Sequence, residues 1–125
     1  MNVVLWVLAA VLAGAFAMAG SMKLAKSKEQ LQASGMAWTE DFTQGQVRAI
    51  GAIEVLGALG LILPAAFGIA PILTPLAAAG LFLAMAGAVV VHLRRGEGIG
   101  AAAPALVLGL LSLFVAIMRF GPNAF

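Results

Sequence analysis

Val47-Arg-Ala-Ile-Gly-Ala-Ile-Glu-Val-Leu-Gly-Ala-Leu-Gly-Leu-Ile-Leu63 is an apolar run with a single carboxylate, Glu54, near its middle. A water-soluble helix sets its charges along one polar face, and this run has no such face. An acid inside hydrocarbon costs about 2.5–3.5 kcal/mol on insertion scales. Glu54 must therefore be neutral, paired or wetted, which points to a membrane-embedded helix whose acid looks inward at a partner or a cavity. At 100° per residue, Val47, Gly51, Glu54, Ala58 and Leu61 share one face. Gly51 and Ala58 flank the acid one turn either way and leave room for a neighbouring helix or a ligand.

Composition sets the class around that run. The chain has 125 residues, 63% hydrophobic and only 10% charged, with a mean hydropathy of +1.10. Soluble domains carry about 25% charged residues. Too few charges remain to cover a soluble surface, so lipid is the expected solvent. There is no cysteine and one histidine. That excludes a disulfide framework, thiolate metal sites and haem held by two histidines of one chain. No metal site and no evident cofactor are expected. A net charge of +2 gives no reason to expect nucleic acid.

Four spans are expected, at about residues 2–22, 46–63, 72–93 and 101–120, each near the 20 residues or so that a bilayer requires. The fold class is an all-α membrane protein, a four-transmembrane-helix bundle in one domain. No Lys or Arg precedes the first apolar run, so it is read as a span and not a cleaved leader. Pro64 is expected to stop the second helix, Pro71 and Pro75 to start the third, and Pro104 to fall in the first turn of the fourth. Gly96-Glu-Gly-Ile-Gly100 is expected as a tight loop. Ala9, Ala13 and Ala17, then Gly80, Ala84 and Ala88, form small-residue stripes that serve packing within the bundle or a homodimer.

Residues 23–45 are the one long polar stretch. Ser27 is placed to cap a short helix over 28–33. Leu24, Leu31, Met36, Trp38 and Phe42 suit an interfacial loop, or a lid over a cavity. Lys23, Lys26, Lys28, Arg94 and Arg95 lie on one side, with Arg48 just inside the membrane; the other side holds both termini and Arg119. The positive-inside rule then puts loops 23–45 and 94–100 in the cytoplasm and both termini outside, in a bacterial inner membrane.

Glu54 leads the candidate site residues, as structural glue between helices or as a ligand-binding or proton-handling group. Lys23 ends the first helix, and its long stem could reach down to the acid. Ser112 has a depth suited to donating to Glu54. His92 ends the third helix and, with Glu54, would make a proton path. Arg48 lies about 120° round the helix from Glu54 and is expected to snorkel to headgroups. Gly51, Gly57 and Ala58 are read as helix-packing positions.

Gly20-Ser-Met-Lys23-Leu24, Arg48-Ala-Ile-Gly51-Ala-Ile-Glu54-Val-Leu-Gly57-Ala-Leu-Gly-Leu-Ile-Leu-Pro64 and a third helix ending in His92 together resemble the DoxX-like family. The resemblance covers nearly the whole chain and is most specific in the second helix. It implies a compact four-helix bundle, with Lys23, Gly51, Glu54, Gly57 and His92 as pattern positions. That family takes its name from a small subunit of a thiosulfate:quinone oxidoreductase. Its distant relatives include a chaperone for nicotinic receptor assembly, and sterol-isomerase-like proteins share a similar architecture.

Three functional readings follow. In the first, a non-enzymatic membrane protein binds a lipid-like small molecule, or assists a partner membrane protein, through Glu54. In the second, a membrane subunit of a quinone-linked oxidoreductase handles protons at Glu54 and His92, with redox centres on another chain and quinone as the cofactor. In the third, a dimer forms a proton-coupled transporter. A topology reporter fused after Phe125 is expected to read as extracytoplasmic; a cytoplasmic signal would reverse the assignment.

Overall fold

The computed structural model describes residues Met1–Phe125 and is all-helical. Its elements are α1 (Asn2–Ala25), α2 (Lys28–Ala33), a 3-10 helix (Ala37–Asp41), α3 (Gln44–Phe67), α4 (Leu73–Arg94) and α5 (Gly98–Phe120). α1, α3, α4 and α5 are each long and apolar enough to cross a membrane. Each long helix packs on the next, α1 on α3, α3 on α4 and α4 on α5, and a slighter contact of α5 with α1 closes the ring.

Only 25 of the 125 residues are buried, while Val3, Leu56, Leu83 and Leu110 among many others stand exposed. That is inside-out for water and right for lipid. The small core takes Leu5, Leu12 and Phe16 from α1, Leu61 from α3, Leu81 from α4 and Val115 from α5. The buried residues of α3 are Val47, Gly51, Glu54, Ala58 and Leu61, the face that helical geometry selects.

Lipid tails are as apolar as leucine, so helices associate in a membrane through close packing and hydrogen bonds. Glycine supplies the closeness at each main interface. A Cβ on Gly20 would lie 2.6 Å from the Gly51 carbonyl oxygen, and one on Gly51 would lie 2.8 Å from that of Gly20. The backbones of α1 and α3 touch there. Gly57 accommodates Leu81, Gly60 accommodates Ala77, and Gly109 accommodates Met85. Ala9, Ala13 and Ala17 are spent inside the bundle, whereas Gly80 is exposed.

The structure departs from the sequence reading at several ends. α3 does not stop at Pro64; it runs to Phe67 and ends at Gly68, whose φ of 66° gives a left-handed cap. Pro64 lacks the N–H that would serve the Gly60 carbonyl. Thr74 of α4 supplies the substitute: its Oγ1 donates to Gly60 O at 3.1 Å, with Leu61 O at 3.4 Å. An unserved carbonyl would be costly in lipid, and the cross-helix hydroxyl lets the helix continue. α5 begins at Gly98, so Pro104 falls beyond the first turn. Gly96 and Gly98, at φ of 71° and 83°, turn the chain within residues 95–97, and the expected loop over 96–100 is shorter than its glycines suggest.

α1 continues past Met22 to Ala25 and carries Lys23 inside its last turn. The stretch 23–45 holds more structure than a loop. Ser27 caps α2 in a reciprocal pair with Gln30, and Thr43 caps α3 in the same way with Gln46, which moves the start of α3 back to Gln44.

Gly51→Val should force α1 and α3 apart and cost about 1–3 kcal/mol, read as a lower melting temperature in detergent. Gly14→Ala, where an added Cβ meets nothing within 4 Å, serves as the control and should leave melting unchanged or slightly raised. Equal melting for the Gly51 variant and the wild type would contradict the close crossing.

Candidate functional site: a buried ion pair under a folded cap

α1 and α3 run antiparallel, and this makes the site. A helical Cα–Cβ bond leans toward the helix N-terminus. Lys23, in the last turn of α1, therefore leans inward toward the bundle middle, and Glu54 leans outward toward the same end of the bundle. The two side chains meet: Lys23 Nζ donates to Glu54 Oε1 at 2.6 Å. Gly20 and Gly51 each lie three residues before a charged partner, on the same helical face. Their backbone contact draws the helices together at the depth where the charges join. A Cβ on Gly51 would also strike Lys23 Cβ at 2.8 Å.

Glu54 is 2% exposed and Lys23 7%. Two charges out of water each carry a penalty of several kcal/mol, and their mutual attraction offsets it only when the geometry is good. As a pair they are net neutral, which a lone Glu54 would not be. Lys23 also sits at a helix C-terminus, where the backbone dipole favours a cation.

The segment between α1 and α3 folds down over this pair. Leu31 and Thr39 of this segment are fully buried. Trp38 places its ring 5.7 Å from Lys23 Nζ, within cation–π range, and Phe42 meets Trp38 edge-on at 5.5 Å. The far end of the segment is tied to the α4–α5 turn. Arg95 Nη1 donates to Asp41 Oδ2 at 2.6 Å and lies near Glu40 and Glu97. Hydrogen bonding to Asp41 holds the Arg95 guanidinium above its ordinary pKa. Residues 37–42 thus form a cap held by an aromatic contact on one side and an ion pair on the other.

The remaining expected site residues are placed elsewhere. His92 does not reach Glu54; its Nδ1 pairs with Glu97 Oε1 at 2.8 Å, at the α4–α5 turn. Ser112 is buried, but its Oγ donates to Leu108 O one turn back on its own helix. A serine in an apolar helix always has that carbonyl in reach, and equal depth does not make two residues neighbours. Gly57 packs on Leu81, and Ala58 lies in the core. Arg48 is exposed. No three His, Cys, Asp or Glu side chains gather as metal ligands.

Sequence reasoning missed two contributors. Trp38 was visible only as one aromatic of an interfacial loop or lid, because the fold of its loop decides which residue it covers. Gly20 had a signal, its three-residue spacing before Lys23, which matches that of Gly51 before Glu54.

The DoxX-like family model matches residues 7–115. No curated protein and no solved structure matches the chain. The matched span takes in Lys23, Glu54, the cap and His92.

Removing one partner should strand the other charge. Lys23→Met or Glu54→Leu alone is expected to destabilise the fold by about 3–5 kcal/mol, and the double variant to recover most of that loss. Melting in detergent reads all three. Additive losses in the double variant would show that the two charges do not act as a pair.

Proposed function

Because the chain belongs to the DoxX-like family and buries a single ion pair under an aromatic cap, we propose that it is a non-enzymatic integral membrane protein that binds a lipid-like small molecule at Lys23 and Glu54. One observation carries the reading. The protein itself uses only one donor of the Lys23 ammonium and one oxygen of the Glu54 carboxylate. An ammonium has three protons to donate and a carboxylate two oxygens to accept with. A buried pair with spare donors and a spare acceptor suits a small head group carrying a hydroxyl or carbonyl. Trp38 and Phe42 offer it an aromatic face. The body of such a ligand would be apolar, as its surroundings are.

A quinone is a second reading, favoured by the same feature: its carbonyl could accept from Lys23 and its ring lie against Trp38. Redox centres would then belong to another chain, since this one has no cysteine. On either reading the charge asymmetry supports an orientation with the cap and the α4–α5 turn cytoplasmic and Asn2 and Phe125 outside.

Glu54→Gln should still insert in the membrane but change the set of small molecules retained through purification, read by native mass spectrometry. Trp38→Leu leaves the pair intact and should change that set too. Identical profiles for the wild type and both variants would leave Lys23, Glu54 and Trp38 as packing alone.

A further inference from the structure

At the end of the bundle opposite the cap, one charge has no acidic side chain for a partner. Arg119, in the last turn of α5, is 4% exposed. Its Nη1 donates to Asn2 Oδ1 at 2.8 Å and to Asn123 O at 3.0 Å. Phe125 stacks on the guanidinium at 3.9 Å and covers one face. The contacts pin the tail and join α5 to α1, the neighbours that otherwise touch least. None of them is an anion.

No acid side chain can reach it. Glu29, Glu40, Asp41 and Glu97 lie on the cap side, and Glu54 is taken by Lys23. The Nε–Nη2 edge makes no hydrogen bond within the protein, and neither atom is among the side-chain atoms sealed from the surface without a partner. That edge is a rigid two-pronged donor, the geometry that matches two oxygens of a phosphate. Val3, Val4, Ile117 and Phe120 stand exposed at the same end of the bundle. They are suited to acyl chains and would be out of place around a site for a soluble anion.

We propose that Arg119 binds the phosphate of an anionic phospholipid, in the leaflet on the Asn2 and Phe125 side, through Nε and Nη2. A head group bearing an ammonium is disfavoured because no acidic side chain is near to receive it. The proposal is independent of the Lys23–Glu54 site and stands or falls apart from it.

The test titrates the purified full-length chain in neutral detergent with phosphatidylglycerol, phosphatidylethanolamine or inorganic phosphate, following bound lipid by native mass spectrometry and melting. Phosphatidylglycerol should bind and raise the melting temperature; the other two should do so weakly or not at all. Arg119→Lys keeps the charge but loses the fork, and should bind phosphatidylglycerol about tenfold more weakly. Equal binding by Arg119→Lys and wild type overturns the proposal. So does inorganic phosphate matching the lipid, which would make the site one for free phosphate, or phosphatidylethanolamine matching phosphatidylglycerol. Should Arg119→Lys fail to fold, solid-state NMR on the unaltered chain in phosphatidylglycerol bilayers decides. Lipid phosphorus close to Arg119 Cζ supports the site, and its absence overturns it.

Discussion

The Lys23–Glu54 contact is the constraint on which the rest of this small bundle depends. Hydrocarbon penalises an isolated carboxylate, so Glu54 must be neutral, wetted or paired, and here it is paired with a cation at the same depth on the facing helix. α1 provides it from its last turn, with a side chain long enough to reach inward. The requirement fixes the antiparallel pairing of α1 and α3, their register and the face each turns to the other. It also accounts for glycine at positions 20 and 51, since bulk at either would hold the two charges apart.

Lipid as solvent explains the other specific contacts. Without a hydrophobic drive to bring helices together, each backbone group must be served and each interface closely packed. Thr74 serving the carbonyl that Pro64 leaves open is one answer to the first demand. Gly57, Gly60 and Gly109 answer the second. The polar cap, by contrast, is built as a soluble protein would build it, from capping boxes at Ser27 and Thr43 and an ion pair between Arg95 and Asp41.

Much of the fold was legible because the signals are one-dimensional. Hydropathy marks spans, and the 3.6-residue period places Val47, Gly51, Glu54, Ala58 and Leu61 on one face. Lys23 was legible as a candidate because it ends the first helix on a stem long enough to reach down to the acid. The rest needs knowledge of which helices adjoin. Ser112 and His92 have plausible depths, but depth says nothing of position around the ring, and each found a nearer acceptor. Pro64 misleads for the same reason: its missing donor is replaced from another helix. The contact of Trp38 with Lys23, and that of Asp41 with Arg95, arise from a loop whose path no periodicity encodes.

The central claim is that Lys23 and Glu54 are in contact inside the bundle while the protein sits in a bilayer. Solid-state NMR on lipid-embedded protein, labelled with nitrogen-15 at lysine side chains and carbon-13 at glutamate carboxyls, addresses it directly. A strong dipolar coupling between Lys23 Nζ and Glu54 Cδ, unchanged when the outer phase is exchanged for deuterated water, is the result this account predicts. No coupling at that pair, with the Glu54 carboxyl instead close to lipid chain protons, would contradict it.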